Sequence, residues 1–382
     1  MPLGVQYSGK WTLQSQAQAV AASTWPKAPN LWGWGNNGAG GLGLNNRTYY
    51  SSPKQIGSST WLSISTNQPG FTLAVKNDNT LWAWGDGSLN GQLGLGNLTS
   101  YSSPKQVGAL TNWSSVSTGW YFALAIKTDG TLWSWGKNNS SQLGLGVIST
   151  EYSSPKQVGS LTNWATIATG QYFSMATKTD GTIWGWGNNQ VGQGGTGSTS
   201  TIGRSSPVQI GALANWSIVT AAGQFVMAIK TDGTLWAWGD NANGQLGLGN
   251  ITSYSSPKQV GALTNWSKIS ANRYSISAIK TDGTLWAWGN NTNGQLGLGN
   301  VTYYSSPKQV GALTIWSSIS GGLDSYFGIT TSKALWAWGA NSYGQLGLGN
   351  TTKYSSPKQV GALTSWLKIS SGYGGQVFGI VQ

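Results

Sequence analysis

The chain has 382 residues, with only 8% charged, 57 glycines, 24 tryptophans and a net charge of +12. It contains neither cysteine nor histidine, which excludes disulfides and the zinc or copper sites built on nitrogen and sulfur ligands. No run of 18 apolar residues occurs, so membrane insertion is not expected, and the regular tryptophan content argues against a disordered chain.

Residues 1–29 read as a leader distinct from the rest of the chain. They lack the basic-then-apolar plan of a secretory signal. Gln6-Tyr7-Ser8-Gly9-Lys10-Trp11-Thr12-Leu13 is followed by a Gln/Ala-rich stretch to Ala22 and then by Thr24-Trp25-Pro26. Tyr7, Trp11 and Trp25 are its aromatic residues.

From residue 30 to 382 the chain is periodic. A Trp-x-Trp-Gly tetrad begins at Trp32, Trp82, Trp133, Trp184, Trp236, Trp286 and Trp336, at intervals of 50, 51, 51, 52, 50 and 50 residues. A period this long, made of short strand-like pieces and glycine turns, predicts an all-β, seven-bladed β-propeller. Thr-Asp-Gly before each of the middle tetrads (Asp129-Gly130, Asp180-Gly181, Asp232-Gly233, Asp282-Gly283) is a hairpin signal. In Leu235-Trp236-Ala237-Trp238 both strand faces are apolar, which suits a sheet packed between two neighbouring sheets. A third tryptophan recurs at Trp61, Trp113, Trp164, Trp216, Trp266, Trp316 and Trp366, and all 21 repeated tryptophans are expected in blade packing. The proline of Ser-Ser-Pro-Lys marks a strand start or edge.

The first repeat begins at its tetrad with no hairpin of its own, whereas 366–382 supply a strand pair with no tetrad. The C-terminal strands are therefore expected to pair beside residues 31–35 and close the ring, removing two open edges.

Repeats within the chain are nearly copies, except just before the hairpin strand. That segment should lie on one face near the central channel, and it carries the candidate binding residues Phe71, Trp120, Tyr121, Gln171, Tyr172, Gln224, Phe225, Arg273, Tyr274, Asp324, Tyr326, Tyr373 and Gln376. Aromatics, amides, one Arg and one Asp form a mixture suited to recognition of a protein or sugar. A second set, Tyr49-Tyr50, Tyr101, Tyr152, Tyr254, Tyr303-Tyr304 and Tyr354, is more uniform and reads as structural or as a symmetric docking surface. The repeat of Trp184 departs from the others through Gly192–Gly197 and Arg204-Ser-Ser-Pro-Val208.

The lysines fall in two ring-spread sets, Lys54, Lys105, Lys156, Lys258, Lys308 and Lys358, and Lys76, Lys127, Lys178, Lys230 and Lys280. That spread favours solvated side chains over a nucleic-acid stripe. Of nine acids, five sit in hairpin turns with structural duty, leaving Asp86, Glu151, Asp240 and Asp324. Neither an enzyme nor a metal or cofactor is expected. A carboxylate glycosidase using Asp324 and Glu151 is the remote exception.

The segments Gly-Gln-Leu-Gly-Leu-Gly and Asp-Gly-Thr-Leu-Trp-Ala-Trp-Gly resemble the repeats of the regulator of chromosome condensation family over residues 30–382. The resemblance implies a seven-bladed propeller and says less about activity. Founding members exchange nucleotide on a small GTPase and bind nucleosomes through an inserted wedge and a basic tail. The intervals here leave no room for a wedge, and the leader has only Lys10 and Lys27. The family's plant ultraviolet photoreceptor uses a Gly-Trp-Arg-His-Thr motif, against which this chain offers Gly119-Trp120-Tyr121 and no histidine. A secreted β-lactamase inhibitor with the same repeat grips a protein with one propeller face, the most useful analogy. The leader resembles N-terminal segments of phage virion-associated proteins, which implies attachment to a virion protein, with Tyr7, Trp11 and Trp25 as the candidate attachment residues. Together these imply a non-enzymatic binding module in a virion, meeting a host-surface glycan or protein through its variable face. A cytoplasmic interaction scaffold or regulator of the chromosome condensation type is the alternative. Oligomeric state is left open.

Overall fold

The computed structural model describes residues 29–68 and 70–382. Tyr7, Trp11, Trp25 and the leader's attachment role lie outside the described residues.

Seven four-stranded antiparallel sheets form the blades of one ring. Blades 1 to 6 span residues 61–106, 113–157, 164–209, 216–259, 266–309 and 316–359, each a simple meander. Blade 7 is composite. Its two inner strands, Trp366–Ser371 and Gln376–Val381, come from the C-terminus, and Asn30–Gly35 and Tyr50–Gln55 complete it. The closing register runs from Asn30 opposite Val381 to Gly35 opposite Gln376, the ring closure expected from the sequence. The first strands of neighbouring blades touch around the whole ring and line the channel. Hydroxyl pairs such as Ser65–Thr118 (2.8 Å), Ser117–Thr169 (2.9 Å) and Ser320–Ser371 (3.0 Å) tie them together.

The core is seven layers, each between two blades. One layer, for example, joins Phe71, Leu73 and Leu81 of blade 1 to Trp113, Ala125 and Trp135 of blade 2. The tetrad's second tryptophan fastens each joint. Trp34, Trp84, Trp135, Trp186, Trp238, Trp288 and Trp338 are buried, and every indole N–H donates to a backbone carbonyl of the preceding blade at 2.8–3.0 Å. The Leu-Gly-Leu glycine beside that indole cannot change. Gly144 has φ +72, and a Cβ there would stand 2.7 Å from Trp186 Nε1.

The tetrad's first tryptophan belongs to a polar cassette. In blades 1 to 5 its N–H donates to a threonine hydroxyl at 2.8–2.9 Å, and that threonine donates its hydroxyl and amide hydrogens to the turn aspartate. The threonine hydroxyl, then its amide, holds Asp78, Asp129, Asp180, Asp232 and Asp282 below the usual carboxylate range. Lys76, Lys127, Lys178, Lys230 and Lys280 each place Nζ 3.7 Å from the centroid of that tryptophan. The last four of these lysines are buried, and burial lowers their pKa. This corrects the expectation that this set is solvated. An indole face attracts the ammonium, and the stem covers apolar surface. Lys54, Lys105, Lys156, Lys258, Lys308 and Lys358, on the outer strands, are exposed.

Four of the uniform tyrosines, Tyr50, Tyr254, Tyr304 and Tyr354, are tied to their own loops. Asn46, Asn250, Asn300 and Asn350 each donate to the hydroxyl of the tyrosine four residues on. Blade 3 keeps its departure from the pattern: its outer strand Ser200–Gln209 has 10 residues where the other outer strands have 6. Among the described residues no helix is long and apolar enough to cross a membrane.

Candidate binding face at the channel mouth

The seven variable segments are the turns from the first to the second strand of each blade, so the meander brings them together at one end of the channel. Backbone bonds link the turns of blades 1 to 4 in sequence. Tyr121 N donates to Gln68 O (3.4 Å), Trp120 N to Gln171 O (3.3 Å) and Gln171 N to Gly223 O (2.9 Å). Gly223 has φ +44 and abuts the Arg273 carbonyl, which a Cβ would approach to 2.5 Å.

Five of the proposed binding residues are interior. Phe71 and Phe225 lie in the layers between blades 1 and 2 and between blades 4 and 5. Tyr326 stacks on Trp338, with ring centroids 6.2 Å apart, and its hydroxyl accepts from Asn272 N at 3.2 Å. Burial pushes its phenol far up. Gln376 is 1% exposed, beside Gly41 and Gly70. Tyr373 of blade 7 crosses the channel mouth. It is 6% exposed and packs with Ala222 and Ala271 in the layer between blades 4 and 5. Gln68 Nε2 donates to its carbonyl at 3.1 Å. Tyr373 therefore plugs the mouth.

The other eight are half-buried: Trp120, Tyr121, Gln171, Tyr172, Gln224, Arg273, Tyr274 and Asp324. Six residues of blades 2, 3 and 5 form one array. The Arg273 guanidinium carbon lies 4.9 Å from the Tyr274 ring and 5.2 Å from the Trp120 ring. Trp120 meets Tyr172 edge-on at 5.8 Å. Lys137 Nζ then lies 5.5 Å from Tyr172 and 5.1 Å from Tyr121. Lys137 lies outside the set expected from the sequence. A signal for it exists, because the position after each tetrad also varies: Asn36, Asp86, Lys137, Asn188, Asp240, Asn290 and Ala340.

Asp324 of blade 6 completes the mouth. It takes a hydrogen bond from Asn293 Nδ2 (3.4 Å), and Arg273 acts on it only through space. Burial raises its carboxyl pKa, and the Arg273 charge and Asn293 bond offset this only in part. Glu151, its partner in the glycosidase reading, stands on the exposed rim of blade 2 and accepts from Asn90 at 2.9 Å. Among the described residues no group of three or more histidine, cysteine or carboxylate side chains could hold a metal.

The model of the Regulator of chromosome condensation (RCC1) repeat matches residues 78–126, 129–177, 180–229, 232–278, 282–327 and 334–378. The probable E3 ubiquitin-protein ligase HERC6 of Homo sapiens is 36% identical over 56% of this chain and 22% of its own length. The mitochondrial RCC1 domain-containing protein RUG3 of Arabidopsis thaliana is 34% identical over 57% of this chain and 52% of its own. The ultraviolet-B receptor UVR8 of the same plant is 31% identical over 56% and 50%. The chain thus spans about half, or less, of these relatives. Among solved structures, human WBSCR16 superposes with a TM-score of 0.83 at 22% identity, covering 93% of this chain and 99% of its own. Prp20p of Saccharomyces cerevisiae superposes with 0.80 at 17%, covering 93% and 92%. Those two likenesses establish the fold. With six repeats matched by the family model across most of its length, the chain belongs to the regulator of chromosome condensation (RCC1) repeat family.

Proposed function

We propose that this chain is a protein-interaction module that grips its partner at the channel mouth. The carrying observation is the array Tyr274–Arg273–Trp120–Tyr172–Lys137–Tyr121, one continuous aromatic and cationic surface drawn from three blades. None of its side chains is needed to repeat the blade. Aromatic and arginine side chains supply much of the energy at protein interfaces. Protein binding also has precedent on this fold: yeast RCC1 (Prp20) has been crystallised with Kap60, and Prp20p has binding properties to Gsp1p and histones. Those partners belong to Prp20. No ligase activity is carried over from HERC6, of which this chain spans 22%.

The interaction-scaffold reading has more support than the virion reading, which rests on the likeness of residues 6–26 alone. Capture from a lysate of the source organism, read by mass spectrometry, tests both. Wild type, a Trp120→Ala/Tyr172→Ala variant and a chain lacking residues 1–28 are compared. The proposal expects the double variant to lose proteins that the shortened chain retains. Equal capture by the double variant would overturn it, and loss confined to the shortened chain would restore the attachment reading.

A further inference from the structure

At the channel mouth two cations are held against aromatic rings, and among the described residues no carboxylate is bonded to either. Arg273 lies between Tyr274 and Trp120, and Lys137 between Tyr121 and Tyr172. Asp324, which feels the Arg273 charge through space, is bonded to Asn293 instead. Stacking fixes where each cation stands while leaving its N–H donors in the ring plane or at the ammonium tip for another acceptor.

The other aromatic-bound cations follow the repeat: Lys54, Lys105, Lys156, Lys258, Lys308 and Lys358 lie over tyrosines on the exposed outer strands. Lys127, Lys178, Lys230 and Lys280 are buried over tryptophan, with a turn aspartate close enough for its charge to raise their pKa. Arg273 and Lys137 instead sit half-buried, in non-repeated positions, at the end of the channel where the variable turns gather.

Building on the proposed protein-binding role, we propose that the segment seated on this mouth is acidic, its aspartate or glutamate carboxylates docking on Arg273 and Lys137. A planar guanidinium can take a carboxylate through two parallel N–H donors, and Lys137 offers a second anchor beyond Trp120 and Tyr172. The chain's net charge of +12 favours the approach of such a partner. The partner's own flanking apolar groups would lie on the exposed parts of the rings.

The test is calorimetric titration of the full chain with capped hexaglutamate and capped hexaglutamine, at low and moderate salt. The proposal expects hexaglutamate to bind at least about tenfold more tightly than hexaglutamine and to weaken as salt rises. Arg273→Gln/Lys137→Gln should weaken hexaglutamate binding by about tenfold or more. Lys137→Arg should retain it, and so should Lys308→Gln/Lys358→Gln, which removes the same charge from the outer strands. Equal affinity for both peptides would overturn the inference, as would an outer-strand pair as damaging as the mouth pair. If Trp120→Ala/Tyr172→Ala abolishes partner capture while hexaglutamate does not bind, the protein-binding role stands and the acidic partner falls.

Discussion

The joints between blades and the mouth of the channel are built from the same residue types and behave in opposite ways along the sequence. At the joints the same tryptophan makes the same bond seven times, from Trp34 to the Gln345 carbonyl through to Trp338 and the Gln295 carbonyl. At the mouth Trp120, Tyr172, Arg273 and Asp324 occupy related turns and differ in residue type, and no contact is repeated from blade to blade. Ring closure imposes identical geometry on every joint, so substitution there is penalised wherever it occurs. The turns at the mouth need only join two strands, which leaves their side chains available for a partner.

The sharpest way to break the comparison is to open the ring. Removing residues 376–382 takes away the strand that pairs with Asn30–Gly35, exposes two sheet edges and should abolish cooperative melting. A chain that melts as before would show that closure contributes little. Next in size, Trp238→Ala removes a fully buried joint and its bond to the Gln193 carbonyl, and should cost about 3–5 kcal/mol in denaturant unfolding. Trp120→Ala should cost clearly less, because that side chain is only half-buried.

Much of this division was legible in the sequence. The tetrad spacing set the number of blades, and the unmatched ends set the closure. What stayed hidden depended on depth and reach. Phe71, Phe225 and Tyr326 vary like surface residues, yet the pleat turns them into the interlayer core. Tyr373 belongs to blade 7 and packs against blades 4 and 5 across the channel, a contact no periodic pattern contains. The buried lysines were also hidden, because their tryptophan partners become neighbours only when the hairpin folds.

Two smaller effects sharpen the contrast. Asp324→Asn should modestly stabilise the protein at neutral pH, read from denaturant unfolding. Burial raises the folded carboxyl pKa, so the stability due to its proton is fully present below the ordinary aspartate pKa and lost as pH rises through the folded value. The gain should therefore vanish in acid melts, and a gain that persists there would reject the burial explanation. Smallest, Thr131→Val removes the hydroxyl shared by Trp133 and Asp129 and should lower the melting temperature by a few degrees. That threonine depresses the Asp129 pKa, a contribution present above the unfolded pKa and lost as pH falls through the folded one. The deficit should narrow in acid, and a constant deficit would assign it to the Trp133 bond alone.

The most direct measurement is hydrogen exchange of the full chain with and without a captured partner. Partner binding at the mouth predicts new protection in the turns at 119–121, 170–172 and 272–274, with the Thr-Asp-Gly turns and outer strands unchanged. Protection confined to the outer strands or the Thr-Asp-Gly turns, with the channel mouth exchanging as in the free protein, would contradict it.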